Sequence, residues 1–310
     1  MKKLARRNFL KTVIAPGLVP ILKSKEQPPA RLPLCFSTLG CPKWEWETIL
    51  QNAVQAGYTA IELRGIRGEM NLPNSPLFSG SKLAETTQSV RDRGLHIANL
   101  GASATLHEPD RTKRQLQMDE ARRFIELAQK LSAPYVRVFP DKFVTGEDHS
   151  ATIQRIAEAL VELGSFAKGS GVTVLMESHG DFTSSSDLVK VIKTASQPSV
   201  ALLWDTHHTY VDGKEAPQLT FGQISGYVRH VHLKDSKPEG NGVRYVLTGN
   251  GNIPLREIIA VLVRGGYAGY YSFEWEKVWH PEIDEPEAAI PHFAKVMATY
   301  LTDVGFKGHQ

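Results

Sequence analysis

Cysteine and net charge are both scarce in this chain. Only two cysteines, Cys35 and Cys41, occur among 310 residues, and the formal net charge is +3. Cys35 lies in an apolar, strand-like run, LPLCFSTL, which predicts a buried free thiol, and a disulfide between the two cysteines remains open. The small charge, part of which belongs to the N-terminal leader, argues against the broad basic face of nucleic-acid-binding domains. We therefore predict no nucleic-acid partner.

Long apolar runs are also missing. The most apolar part of the leader, Thr12–Leu22, is too short to span a bilayer and is interrupted by prolines and a glycine. The preceding segment, Arg6–Lys11, resembles a twin-arginine export signal, whose pattern is Arg-Arg-x-Phe-Leu-Lys. This resemblance implies the export machinery as a partner and a periplasmic location; the alternative is the basic N-terminus of a cytoplasmic enzyme. We assign residues 1–30 to the leader and residues 31–310 to one domain.

Short β-rich runs alternate with longer helical patterns from Leu32 onward, without a change in composition that would mark a second domain. Eight such units fit a (β/α)₈ barrel, which typically takes about 250 residues. An open doubly wound sheet would carry a glycine-rich phosphate loop after its first strand, and STLGCPKWEW is a poor version of one. The predicted fold class is therefore α/β, a single-domain (β/α)₈ TIM barrel. The predicted strands are LPLCFST, YTAIELR, HIANLG, YVRVF, TVLMES, ALLWDT, YVRHVHLK and YYSFEWE.

The last four predicted strands each end in a side chain that binds metals well. Glu177, Asp205 and His232 are spaced by 28 and 27 residues, and Glu274 follows 42 residues later. A strand with its crossover helix takes about 30 residues, so the spacing predicts one ligand per βα unit. Parallel strands end at the same mouth, where three carboxylates and one imidazole would form a site for a divalent ion. Such a donor set favours Mn²⁺, Mg²⁺ or Co²⁺, with Zn²⁺ also allowed, and we prefer Mn²⁺.

These motifs, namely E-x-H, D-x-x-H, H-x-K-D and the final Glu, resemble those of the xylose-isomerase-like barrel superfamily of sugar isomerases and epimerases. The resemblance implies one divalent ion held by Glu177, Asp205, His232 and Glu274. It also implies that Glu177 and Glu274 act as acid/base groups on opposite faces of the substrate, and that His208 contacts a substrate oxygen.

The chemistry implied by the resemblance is proton abstraction next to a carbonyl. A divalent ion that chelates a carbonyl and its neighbouring hydroxyl acidifies the C–H between them and stabilises an enediolate. Return of the proton gives isomerisation or epimerisation, and loss of a β leaving group gives a lyase or dehydratase. We predict a sugar isomerase or epimerase, with an inosose-dehydratase-like lyase as the alternative. An endonuclease IV-like phosphodiesterase and a non-catalytic sugar-binding barrel are weaker hypotheses.

Further positions are candidates for contacts with a small-molecule sugar substrate. Glu62 is predicted to hold a substrate hydroxyl or to form an ion pair at the barrel lip, and His179 to orient the substrate. Lys234 is predicted to point into the barrel and stabilise an oxyanion, whereas His207 is predicted to be structural. Epimerases of this superfamily commonly have an arginine six residues after the metal-binding histidine, but Pro238 occupies that position here.

Two positions and the oligomeric state remain open at this stage. Arg137 is interpreted either as part of the pocket wall or as a packed core residue. Trp44 is interpreted either as a stacking surface for a sugar or as a core contact at the start of a helix. A homo-oligomer is allowed by the sequence but not required by it.

Overall fold

Eight parallel strands close into a barrel, and two further strands form a hairpin outside it. The computed structural model describes residues 31–308. Its strands are β1 (Leu34–Ser37), β2 (Ala60–Leu63), β3 (His96–Thr105), β4 (Tyr135–Phe139), β5 (Thr173–Glu177), β6 (Val200–Asp205), β7 (Val228–Leu233), β8 (Asp235–Glu239), β9 (Gly242–Val246) and β10 (Tyr271–Phe273). The barrel strands are hydrogen-bonded in the closed order β1-β10-β7-β6-β5-β4-β3-β2. The predicted (β/α)₈ fold is confirmed. The leader lies outside the described residues, so the predicted boundary at residue 30 stays a prediction.

Helices pack on the outside of the sheet, and some of them begin at an aspartate that caps the first turn. In α3 and α4, Asp110 and Asp148 each accept a hydrogen bond from a backbone N–H of the first helical turn. Such caps satisfy donors that the helix itself leaves unpaired. The helices are α1 (Trp46–Gln55), α2 (Lys82–Asp92), α3 (Arg111–Leu131), α4 (His149–Phe166), α5 (Ser185–Ala195), α6 (Thr206–Val211), α7 (Pro217–Ile224), α8 (Leu255–Arg264) and α9 (Pro286–Asp303).

The barrel interior changes from apolar to polar along its strands. Successive side chains of a strand point to opposite faces, so residues two positions apart share a face. Glu62 follows Ala60 by two positions on β2, and Glu177 follows Leu175 by two positions on β5. The polar side chains therefore lie one layer above an apolar floor, on the side where the strands end. The floor contains two small buried clusters: Cys35, Ala60 and Ala98, and Leu175, Ala201 and Leu203.

The segment between the seventh and eighth barrel strands is more ordered than the sequence indicates. The sequence predicts a long glycine-rich loop there, but β8 and β9 pair as an antiparallel hairpin. The Asp235 carboxylate anchors the loop that follows the hairpin, because it accepts hydrogen bonds from the backbone N–H groups of Gly249, Gly251 and Ile253. This hairpin explains why the spacing before Glu274 is longer than the other two.

The remaining general expectations concern the thiols and the apolar runs. Cys35 and Cys41 are both buried and free, as expected for a chain that does not depend on disulfides. Among the described residues, no helix combines the length and the apolar character that crossing a membrane requires.

Candidate metal centre

Four side chains meet inside the carboxyl end of the barrel. Each offers one ligand atom, and these atoms all lie within 4.8 Å of one another. The residues are buried, with between 0% and 5% of their surface exposed. We call this group the ligand cluster; its members are Glu177, Asp205, His232 and Glu274. The structure thus brings together the four predicted ligands, one from each of the last four barrel units.

The helix that starts beside Asp205 orients its carboxylate. Asp205 Oδ1 accepts hydrogen bonds from the backbone N–H groups of His207 (2.9 Å) and His208 (3.1 Å) in the first turn of α6. The Asp205 backbone N–H also donates to Ser178 Oγ, and this hydroxyl donates to the Asp205 carbonyl. Because Oδ1 caps the helix, Oδ2 is the oxygen that faces the ligand cluster.

The two ring nitrogens of His232 face different partners. Nδ1 lies 3.2 Å from Glu177 Oε1, 3.2 Å from Glu274 Oε1 and 3.9 Å from Asp205 Oδ2. Nε2 lies 2.9 Å from Glu62 Oε2. Nδ1 is therefore the nitrogen that serves the ligand cluster, and Nε2 anchors the ring.

Glu62 holds two histidines at once. It is fully buried, and its Oε2 lies 2.9 Å from Nε2 of both His230 and His232. Burial alone would raise the pKa of Glu62, but His232 and His230 outweigh this and hold that pKa well below its ordinary value. Since an ionised carboxylate only accepts hydrogen bonds, both Nε2 atoms carry the hydrogen. In the neutral form of His232, Nδ1 then keeps its lone pair for a metal ion.

This position adds to the prediction for Glu62. The carboxylate pairs with two histidines in the interior of the barrel and not with a partner at its lip. The predicted contact with a substrate hydroxyl stays a prediction. Carboxylate–histidine pairs behind a metal ligand fix the ring orientation and the tautomer, which is the role that the contacts of Glu62 indicate.

Arg137, left open by the sequence, is the buried partner of Glu177. Its Nε lies 3.0 Å from Glu177 Oε2, one terminal nitrogen donates to the Ala102 carbonyl, and the guanidinium packs 3.8 Å from the Phe139 ring centroid. Burial alone would raise the pKa of Glu177, but Arg137 and His232 bring it below its ordinary value. Arg137 thus keeps a deeply buried carboxylate ionised.

Lys234 is surrounded by carboxylates. Its Nζ lies 2.7 Å from Asp205 Oδ2 and 2.7 Å from Glu276 Oε1, and it also donates to Glu274. Burial alone would lower the pKa of Lys234, but these three carboxylates raise it well above its ordinary value. The side chain points into the barrel, as expected, and supplies a fixed positive charge beside the ligand cluster. Its predicted contact with a substrate oxyanion stays a prediction.

Two partly buried histidines stand next to each other beside the ligand cluster. The rings of His179 and His208 lie 5.1 Å apart at 78°. Burial lowers the pKa of His179. Burial would also lower the pKa of His208, but Asp205 outweighs it and raises that pKa. The pair therefore offers one neutral and one more readily charged ring, and their predicted roles as substrate contacts stay predictions.

His207 points away from this pair. It is buried, and its Nε2 lies 2.8 Å from Ser236 Oγ on the hairpin. Its ring also lies 5.4 Å from the ring of Tyr245 on β9. These contacts agree with the predicted structural role, since they join the start of α6 to the hairpin.

The donor set of the ligand cluster fits a divalent cation. Three carboxylates and one imidazole suit hard or borderline ions. Burial alone would raise the pKa values of Asp205 and Glu274, but Lys234 lowers the first and His232 the second. Burial alone would lower the pKa of His232, but Glu274 and Glu62 raise it well above its ordinary value. The carboxylates therefore favour their ionised form, and a cation would compete with a proton for His232.

Comparison with known proteins identifies the family. The family described as xylose isomerase-like TIM barrel matches residues 50–299. The chain belongs to this family. Its relatives include an epimerase and a dehydratase. Fructoselysine 3-epimerase of Shigella flexneri is 24% identical over 246 residues, which cover 76% of this chain and 87% of that protein. Inosose dehydratase of Bacillus licheniformis is 29% identical over 166 residues, which cover 48% of this chain and 53% of that protein.

A solved structure gives the same fold. The IolI protein with a bound zinc atom matches with a TM-score of 0.73 at 18% identity, and the match covers 90% of this chain and 100% of that one. At this identity the likeness supports the barrel and not the activity.

Two supporting residues were missed from the sequence, and both had a signal there. His230 precedes His232 by two positions, and Glu276 follows Glu274 by two positions, so alternation along an extended chain assigns each to the same face as its neighbour. The sequence does not reveal their partners, because Glu62 on β2 and Lys234 directly after β7 are distant from them in the chain.

Proposed function

We propose that this protein is a divalent-metal-dependent sugar isomerase or epimerase that removes a proton next to a carbonyl and forms an enediolate. The observation that carries the proposal is the ligand cluster, in which two glutamates flank His232 Nδ1 at equal distances of 3.2 Å. Glu177 ends β5 and Glu274 directly follows β10, and β6 and β7 lie between these two strands in the barrel. They therefore approach a substrate bound at the cluster from two sides.

The side chains around the ligand cluster have different roles in the proposed reaction. A bound divalent ion would polarise the carbonyl and make the neighbouring C–H more acidic. Glu177, kept ionised by Arg137, removes or returns the proton on one side, and Glu274 does so on the other. Lys234 and His208 supply positive charge near the oxygen on which negative charge develops. Epimerisation requires that the returning carboxyl has first taken a proton from solvent.

A dehydratase is the second candidate, supported by the similarity to inosose dehydratase. The same carboxylate would break the C–H bond, and the electron pair would expel a hydroxyl at the β carbon. That hydroxyl leaves as water after it takes a proton from an acidic group of the site. The two candidates share the first step and differ only in what the substrate carries at the β position.

The experiment that tests the proposal is a panel of free sugars, keto-sugars and keto-glycosides incubated in D₂O with the full-length protein and Mn²⁺. The ion is removed by chelation before NMR spectra are recorded. We expect deuterium at the carbon next to the carbonyl. A product with new stereochemistry identifies an epimerase, a shifted carbonyl an isomerase, and loss of water a dehydratase.

Two outcomes would overturn the proposal. Turnover without deuterium incorporation would indicate a hydride shift or hydrolysis in place of an enediolate. Full activity after removal of all divalent ions would exclude the metal. Parallel assays with Mn²⁺, Mg²⁺, Co²⁺ and Zn²⁺ rank the ions, and we propose Mn²⁺ as the preferred one.

The proposal also covers the role of the leader and the oligomeric state. We propose that residues 1–30 direct export of the folded protein to the periplasm, supported by the arginine pair and the Phe-Leu-Lys that follows. Replacement of Arg6 and Arg7 by lysine should leave the protein in the cytoplasm, as checked by cell fractionation. An unchanged amount of the variant in the periplasmic fraction would contradict the assignment of residues 1–30 as an export signal. A homo-oligomer stays a prediction for size-exclusion measurement.

A further inference from the structure

A cavity of about 530 Å³ lies at the same end of the barrel as the ligand cluster. Its walls come from the segments that follow β1, β2 and β10, which are neighbouring strands. Lys277 in its wall is three residues after Glu274, so their Cα atoms are at most about 11 Å apart. The cavity is therefore walled by the segment that continues from Glu274, one of the four members of the ligand cluster.

The wall of this cavity is largely apolar and includes two tryptophans. Trp279 is 54% exposed although it is the largest kind of apolar side chain. Trp44, in contrast, is buried, and its indole Nε1 donates to Glu287 Oε1 at 2.8 Å, which fixes the ring. Tryptophan rings offer flat apolar faces for stacking on another ring. Other apolar residues of the wall are Pro42, Met70, Val278, Pro281 and Pro286.

The charged side chains of the wall are mostly neutralised by their own partners. Lys277 Nζ donates to two backbone carbonyls and lies 2.9 Å from Glu285 Oε1. Arg67 pairs with Glu45 at 2.6 Å. Lys43 remains as an exposed side chain of the wall. The cavity therefore favours an uncharged, ring-shaped occupant over an ionic one.

We propose that this cavity binds the aglycone of a keto-glycoside whose keto-sugar ring lies at the ligand cluster. The inference rests on the proposed function, since it names the part of the substrate that extends beyond the reacting ring. The volume falls within the range of about 300–1,000 Å³ that small-molecule sites occupy. An aromatic or other apolar aglycone packs against Trp279 and removes its exposed face from water. The substrate class is thus a glycoside and not a free monosaccharide.

Two probes that differ only in the aglycone test this site. Phenyl 3-ketoglucoside and free 3-ketoglucose are titrated calorimetrically into the full-length protein with Mn²⁺ present. We expect the phenyl compound to bind more tightly by on the order of tenfold, because stacking on an aromatic ring adds to area burial. Trp279→Ala should remove most of this preference and Trp279→Phe should keep part of it. Leu116→Ala, at a residue 64% exposed on α3, is the control and should keep the full preference.

The outcomes separate this inference from the proposed function. Equal affinities for the two probes, no binding of the phenyl compound, or a preference unchanged in Trp279→Ala would each overturn the aglycone site, whatever reaction the protein catalyses. A preference lost in Trp279→Ala supports it. If that preference is found but neither probe incorporates deuterium from D₂O, the aglycone site stands and the proposed reaction fails.

Discussion

The two halves of the barrel contribute to the centre in different ways. The second half, from β5 to β10, supplies every member of the ligand cluster. The first half supplies Glu62 on β2 and Arg137 on β4, whose partners are His232 and Glu177. Side chains of the second half thus offer the candidate ligand atoms, whereas those of the first half contact the side chains that offer them.

The largest expected effect comes from the second half. Glu177→Gln and Glu274→Gln keep the shape of the side chain but remove the base, so each should lower kcat by about 10³-fold. The measurement is the rate of deuterium incorporation next to the carbonyl. Glu126→Gln, at an exposed position on α3, is the matched control and should be as active as the unchanged protein. A variant of either cluster glutamate with full activity would remove it from the proton transfer.

Arg137 tests whether the first half stabilises charge. Arg137→Met leaves the buried Glu177 carboxylate without its cation, which should lower the free energy of unfolding by about 3 kcal/mol. Urea denaturation of the metal-free protein measures this. Arg122→Met is the control, since Arg122 is paired with Asp119 near the surface and should cost less than about 1 kcal/mol. An equal decrease in the free energy of unfolding of the two variants would show that the buried Arg137–Glu177 pair stabilises the protein no more than a surface ion pair does.

Glu62 tests whether the first half orients a ligand. Glu62→Gln keeps the size of the side chain but removes the charge that holds two imidazoles, so metal affinity should fall by about 10- to 100-fold. Calorimetric titration of metal into chelator-treated protein provides the value without any assay of activity. Glu69→Gln, exposed in the segment after β2, is the control. Unchanged affinity in Glu62→Gln would mean that packing alone orients His232.

The smallest expected effect is on pH dependence. Because the surrounding carboxylates raise the pKa of His232, the metal-free imidazole holds a proton more tightly than an ordinary histidine does, and a cation competes with that proton. Metal affinity should therefore rise with pH, by up to about tenfold per unit, until pH exceeds this raised pKa. Titrations at pH 7 in two buffers of different ionisation enthalpy count the protons released. We expect close to one, and none would indicate that His232 is already neutral.

The sequence reveals the barrel and the ligand cluster for a simple physical reason. Parallel strands of regular spacing bring their ends together, so Glu177, Asp205 and His232 are recognisable from residue type and interval alone. The supporting contacts are not recognisable in this way. Arg137 inside a strand is equally compatible with a core residue and with a pocket wall until its 3.0 Å approach to Glu177 is known. For Glu62 the sequence allows a substrate contact or an ion pair, and nothing local in it indicates the two histidines that the carboxylate contacts.

The sequence by itself determined the barrel architecture and the positions of the candidate ligands, because strand periodicity and ligand spacing are properties of the chain. Only the tertiary structure decided which buried charged side chains contact one another. The pairing of Glu62 with His230 and His232, of Lys234 with three carboxylates, and the cavity beside Trp279 all join segments far apart in sequence. Their energies depend on burial and on distances of a few ångströms, which exist only after the barrel has closed.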